Sequence, residues 1–239
     1  MGDAEDAGGA RSVEYLRSLL PPGVEGPEIT NVVAQIKLNA PLDLEELHRR
    51  LNNAVYQPLT GFNGVIVRPQ RPKVTFTVQH NGRIQHAGWS GTDARQVLWA
   101  FAKKVKGKLG ISEEVRAAYR VVNVVAKASV GFPVDLDALV RSTGNLGVCK
   151  YDPERMSGAA YHMESPKATL RIWRSGAVKI MGAKSELGAW EAFCRIYVVL
   201  CPCRMARGDA GEGARGGAAE TSAEVSAEMS ASDSDAAEE

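Results

Sequence analysis

Apolar and polar side chains alternate over residues 31–38 (NVVAQIKL) and again over 123–130 (NVVAKASV), the period of a strand with one buried face. Val32, Ala34, Ile36 and Leu38 share one side of the first segment; Val124, Ala126, Ala128 and Val130 share that side of the second. Each segment runs into a proline turn and then an aspartate, Asp43 or Asp135, placed to cap an amphipathic helix. Further alternating segments with hairpin turns cover 62–69 and 73–86, then 159–164 and 168–181. Helical periodicity returns over 92–108 and 186–200 and predicts two longer helices.

The two series are copies. Residues 30–47 align with 122–139 at an offset of 92, and 80–88 (HNGRIQHAG) with 174–182 (RSGAVKIMG) at 94. A unit of about ninety residues buries only a modest core alone, so the duplication predicts one pseudosymmetric α+β domain. Its strands form a continuous antiparallel sheet and its helices lie on one side. The expected divisions are an N-terminal extension over 1–28, mostly disordered, repeats over 29–110 and 119–204, and an acidic low-complexity tail over 205–239.

Composition changes this picture in two respects. The net charge of +1 conceals a basic centre: residues 1–28 hold six acids and two bases, residues 207–239 nine acids and two bases, and residues 29–206 carry +12. Such a centre suits a polyanionic partner. Four cysteines and four histidines lack zinc-ligand spacing, so the thiols are expected to be reduced packing residues and no metal or cofactor is expected. No apolar run has the length of a membrane span, the N-terminus is acidic, and Asp6 spoils a myristoylation match at Gly2, which makes the expected compartment intracellular.

With Leu170, Ile172, Val178 and Ile180 extending the core side, the opposite face of the sheet is left to explain. It carries Asn31, Val33 and Gln35; Asn123, Val125 and Lys127; Thr77, Gln79, Gln85 and Ala87; and Arg171, Trp173, Lys179 and Met181. A merely solvated face rarely holds a tryptophan, a methionine and paired valines, so it reads as a binding surface. The paired amides Asn31 and Asn123 suit a ligand with its own dyad, such as duplex DNA.

These residues resemble the TATA-binding protein family. Each repeat begins with an Asn-hydrophobic-Val strand, and matching phrases follow in order: NNAVYQP (52–58), YDPE (151–154), the Ser175-Gly176 turn and MGAKSE (181–186). The resemblance covers residues 29 to 204 and implies a saddle-shaped ten-stranded antiparallel sheet with four helices on its convex side. The concave side would enter a widened minor groove; the family is the standard example of kinking DNA there with apolar wedges.

Its pattern implies DNA contacts from Asn31, Val33, Asn123 and Val125 and from Phe62, Gln79, Met156 and Trp173, the last four where the family has two phenylalanine pairs. Family valines and leucines correspond to Thr77, Gln85, Arg171 and Lys179, and two threonines to Ala87 and Met181. The exchange trades base-dependent packing for phosphate or groove electrostatics and implies a relaxed TATA preference. Arg68, Arg83 and Lys184 keep basic positions, while Ser90, His162 and Ala177 replace others.

For partners, the resemblance implies double-stranded promoter DNA, a factor IIB-like protein at Asp152 and Glu154, and a factor IIA-like protein at an edge strand from Phe62 to Arg68. It further implies protein contacts at Lys103, Lys104, Lys106 and Lys108, a small-nuclear-RNA activating complex, and a homodimer when free. The function so implied is nuclear transcription initiation; the alternative is an interaction scaffold that partners bring to promoters without specific DNA binding. DNA glycosylases share a related fold, but no residues remain here for their catalytic domain, and no nucleophile and base pairing is present, so an enzyme is not expected.

Overall fold

Both alternating series fold as strands and both aspartates cap helices. The structure, a computed structural model, describes residues 12–57, 62–88, 93–111, 119–142 and 147–205. The first repeat runs β1 (Glu25–Lys37), α2 (Leu44–Arg50), β2 (Ala54–Tyr56), β3 (Gly64–Val67), β4 (Thr75–Gln79), β5 (Arg83–Gly88) and α3 (Ala94–Leu109), preceded by α1 (Val13–Ser18). The second repeats that order as β6 (Arg120–Ser129), α4 (Leu136–Arg141), β7 (Gly147–Lys150), β8 (Gly158–Met163), β9 (Ala168–Trp173), β10 (Ala177–Ala183) and α5 (Glu186–Leu200). The Asp43 carboxylate accepts from the Glu46 N–H at 2.9 Å, and that of Asp135 from the Asp137 and Ala138 N–H groups at 3.0 Å. Each satisfies donors that a helix start leaves unpaired.

All strands join one ten-stranded antiparallel sheet in the order β2-β3-β4-β5-β1-β6-β10-β9-β8-β7. The order is symmetric about the β1–β6 pair, as a duplicated unit requires. In the first repeat Ala34, Ile36, Val78 and Ile84 pack on Leu98, Phe101, Ala102 and Val105 of α3, with Phe76 and Phe101 stacked at 3.9 Å between centroids. In the second, Ala126, Leu170, Ile172, Val178 and Ile180 pack on Ala189, Phe193, Ile196 and Leu200 of α5. Each large apolar side chain so buried contributes roughly 1.5–3 kcal/mol of transfer free energy. Both helices therefore cover the same face and leave the other open. No helix among the described residues is long and apolar enough to cross a membrane.

Two expectations need correction. Residues 12–28 are ordered, not a disordered extension, and they supply a fifth helix beside the four expected. In α1, Leu16 is buried, the Arg17 guanidinium lies 5.3 Å from the centre of the Trp190 ring, and β1 begins at Glu25 rather than Asn31. The physical reason is the bare backbone at Gly26, where a Cβ would stand 2.1 Å from Trp190 Cη2. The indole thus packs on the start of β1 and ties the extension to α5. Residues 1–11 and 206–239 lie outside the described residues. The second correction concerns the edge: β2 pairs outside β3, Ala54 opposite Val67 and Tyr56 opposite Val65, so the free edge is Ala54–Tyr56 and not Phe62–Arg68.

Gly26→Ala forces a methyl into the Trp190 ring and is expected to lower stability by about 1–3 kcal/mol, read from urea unfolding; an unchanged midpoint would show that α1 and the start of β1 contribute nothing. His86, opposite Ala34 on the covered face, is 2% exposed, and neither ring nitrogen has a hydrogen-bond partner among the described residues. Burial pushes its pKa below the usual histidine value. Protons then bind the unfolded chain preferentially, so stability is full above pH ~6.5 and falls as pH drops below it. In His86→Leu that part of the acid-side slope is expected to vanish, which urea midpoints measured from pH 7.5 down to 5 would reveal.

Candidate nucleic-acid interface

The open face is built row by row from strand register. In the first repeat, directly opposite residues place Val55, Ile66, Thr77, Gln85 and Gln35 in one line across β2, β3, β4, β5 and β1. The equivalent line of the second repeat is Lys150, Ala160, Arg171, Lys179 and Lys127 across β7, β8, β9, β10 and β6. One line is uncharged and the other holds four cations, with Glu28 of β1 meeting Lys127 at 3.0 Å.

Each repeat also positions one large apolar group by means of a glycine. Gly64 stands opposite Gln79, and a Cβ there would lie 2.7 Å from Phe62 Cε1; Gly158 stands opposite Trp173, and a Cβ there would lie 3.1 Å from Trp173 Cδ1. The missing side chain lets each ring approach the strand closely, and at Gly158 it also spares the Ile172 carbonyl oxygen, which a Cβ would meet at 2.9 Å. Phe62 is 40% exposed and Trp173 is half-buried. Met156 stays on the same side, its sulfur 4.0 Å from Arg171 Nη2. The turn that presents it is fixed by Asp152, whose carbonyl accepts from the Met156 N–H at 2.8 Å and whose carboxylate accepts from the Glu154 N–H at 3.1 Å.

The central strands contribute a floor. Val33 is 6% and Val125 7% exposed, so their neighbours cover most of them. Asn31 lies directly opposite Val125, and Asn123 opposite Val33. Both amides are half-buried, and the Asn123 Oδ1 accepts from the Gly182 N–H at 2.7 Å. Gly182 has φ +90° at a register shift between Ile180 and Ala183, a bulge that the amide clamps.

A family model described as "Transcription factor TFIID (or TATA-binding protein, TBP)" matches residues 26–107 and 118–203. The chain belongs to the TATA-binding protein family. TATA-box-binding protein 2 of Entamoeba histolytica is 34% identical over 184 residues, covering 77% of this chain and 85% of the relative. The TATA-box-binding protein of Acetabularia peniculus is 35% identical over 188 residues, 78% of this chain and 95% of its own. The solved structure of the Methanococcus jannaschii TATA-binding protein superposes with a TM-score of 0.64 at 30% identity, over 73% of this chain and 98% of that one. The saddle and its two repeats are those of the family, and the chain is a general transcription factor related to TATA-binding protein.

On the TATA-binding protein frame, the expected site residues separate by position. Phe62, Gln79, Met156, Arg171, Trp173 and Lys179 share the open face with Asn31, Val33, Asn123 and Val125. Arg68 and Arg83 are exposed at its margins, Arg83 directly opposite Lys37. The Lys184 ammonium donates to the Val122 carbonyl and so is held at the seam. Ser90 lies outside the described residues. Asp152 and Glu154 sit on the loop before β8, and Lys103, Lys104, Lys106 and Lys108 lie on α3, away from the open face. Missed by sequence reasoning were Gly64, Gly158 and Lys150: alternation flags Lys150 only once its strand register is known, and a glycine gives no sign of the ring it underlies.

Asn123→Ala removes the acceptor at the bulge and leaves the Gly182 N–H unsatisfied, at a cost of about 1–3 kcal/mol in urea unfolding. Asn123→Asp keeps an acceptor and is expected to lose less; equal losses would refute the clamp.

Proposed function

We propose that this chain binds duplex promoter DNA through the open face, enters a widened minor groove and bends the duplex with Trp173 and Met156 in one repeat and Phe62 in the other. The supporting observation is Trp173, laid over Gly158 on an uncovered sheet face, two residues from Arg171 in the line of cations. An indole so held gives a stacking surface worth roughly 1–3 kcal/mol against a base. Gln79 gives the first repeat no second ring. The polar line Thr77, Gln85, Gln35 and the cations Arg171 and Lys179 substitute hydrogen bonding and charge for apolar packing, which favours backbone contact over base readout and relaxes the TATA preference. On this reading the chain nucleates initiation complexes in the nucleus with factor IIA-like and factor IIB-like partners, the first at the Ala54–Tyr56 edge and the second at the Asp152–Glu154 loop.

The experiment is fluorescence-detected binding and bending of a TATA duplex and a scrambled duplex across a salt series. Trp173→Ala is expected to weaken binding about tenfold or more and to reduce the bend. The affinity should fall with salt at about 0.9 log units per phosphate contact per log unit, and Arg171→Gln with Lys179→Gln should shallow that slope by nearly two if both reach phosphates. Salt-insensitive binding without a bend would overturn this function in favour of a scaffold carried to promoters by its partners.

A further inference from the structure

The cations of the second repeat's open face stand side by side. Directly opposite residues of antiparallel strands have Cβ atoms about 4.5–5.5 Å apart, where like charges repel. Lys127, Lys179 and Arg171 occupy such positions on three successive strands, Lys150 follows beyond Ala160, and the line includes one carboxylate, Glu28. Beyond the Lys127–Glu28 pair, Lys150 and Lys179 have no salt bridge among the described residues, which leaves an electrostatic demand for anions when no nucleic acid is bound. The corresponding positions of the first repeat are uncharged; its line meets Arg120 across the seam from Gln35, and Arg83 stands opposite Lys37 at its margin, so the demand is greatest along the line of the second repeat.

The chain itself contains a matching polyanion. Residues 216–239 hold seven carboxylates, from Glu220 to Glu239, and no lysine or arginine. The ordered chain delivers this segment to the right repeat. The Met205 N–H donates to the Pro133 carbonyl at 3.0 Å, the Val134 N–H donates to the Arg174 carbonyl at 2.9 Å, and Arg174 directly follows Trp173 at the end of β9. The fourteen residues from 206 to 219 have a covalent reach of up to about 46 Å, enough to pass a helix layer about 10–12 Å thick. Tethering at such a distance gives an effective concentration near millimolar.

We propose that the acidic segment Glu220–Glu239 lies on the line Lys127, Lys179, Arg171 and Lys150 in the DNA-free protein and competes with duplex for it. The competition rests on the assignment of this face to DNA; the docking does not.

Carbodiimide coupling of the full chain, read by peptide mass spectrometry, tests the docking without DNA. Amide bonds are expected from the segment's carboxylates to Lys127, Lys150 and Lys179 at roughly 0.01 M ionic strength, where the Debye length is about 30 Å, and should be largely lost at 1 M, where it is about 3 Å. Arg171→Gln keeps all three amines and is expected to lower the yield several-fold. Coupling that goes to Lys103, Lys104 and Lys108 instead, or that Arg171→Gln leaves unchanged, overturns the docking.

Replacing the seven carboxylates by their amides is expected to raise duplex affinity about five- to tenfold at low salt, the reciprocal of the open fraction. Unchanged duplex affinity overturns the competition. If duplex binds neither protein, the assignment of the face to DNA fails and the coupling pattern still decides the docking.

Discussion

The antiparallel pairing of β1 with β6 is the interaction on which the rest of the molecule depends. It joins two repeats that would each end in an unpaired strand edge, and it carries the sheet through the pseudo-dyad without a break. The pair runs from Glu25 opposite Ser129 to Gln35 opposite Arg120, with register shifts that bend the seam. Because α3 and α5 both pack on the side of Ala34 and Ala126, the seam also fixes which face remains open. A surface ten strands wide is thereby held in one register, and each side chain on it has a determined neighbour.

That register turns substitutions that are unremarkable singly into a surface with two unlike halves. A lysine replacing an apolar residue on one strand would be a solvated charge. Lys127, Lys179 and Arg171 on adjacent strands form a local field whose repulsion an anionic ligand relieves. The aromatic groups depend on register in the same way, since the bare backbone of Gly158, directly opposite Trp173, leaves room for both the Ile172 carbonyl and the indole. The second repeat thus combines charge with a stacking surface, and the first combines Phe62 with amides and a hydroxyl.

Much of the fold was legible because its causes are local or repeated. Alternation at 31–38 and 123–130, broken only at Val33 and Val125, aspartates at helix starts, and an internal copy at an offset of 92 specify strands, caps and a pseudo-dyad without knowledge of contacts. The N-terminal extension was not legible in this way. Its acidic, glycine-rich beginning suggested disorder, whereas a glycine meeting the Trp190 ring from the far end of the chain ordered residues 12–28. The edge strand was missed for a similar reason: Ala54–Tyr56 is only three residues long, too short for alternation to register, and its pairing to β3 defines it.

The sequence by itself determined the α+β repeat, the side of each strand that is buried, the family, and the residues Trp173, Arg171 and Lys179 as candidates on an open face. These follow from periodicity and composition, which are properties of short segments. Tertiary structure alone decided that Lys127, Lys150, Arg171 and Lys179 form one line, that Asn123 clamps the bulge at Gly182, and that Val33 and Val125 are almost covered by their neighbours. Each of those facts depends on which residue lies opposite across a hydrogen-bonded strand, and the pairing of strands far apart in the chain is fixed only when the whole sheet closes around its core.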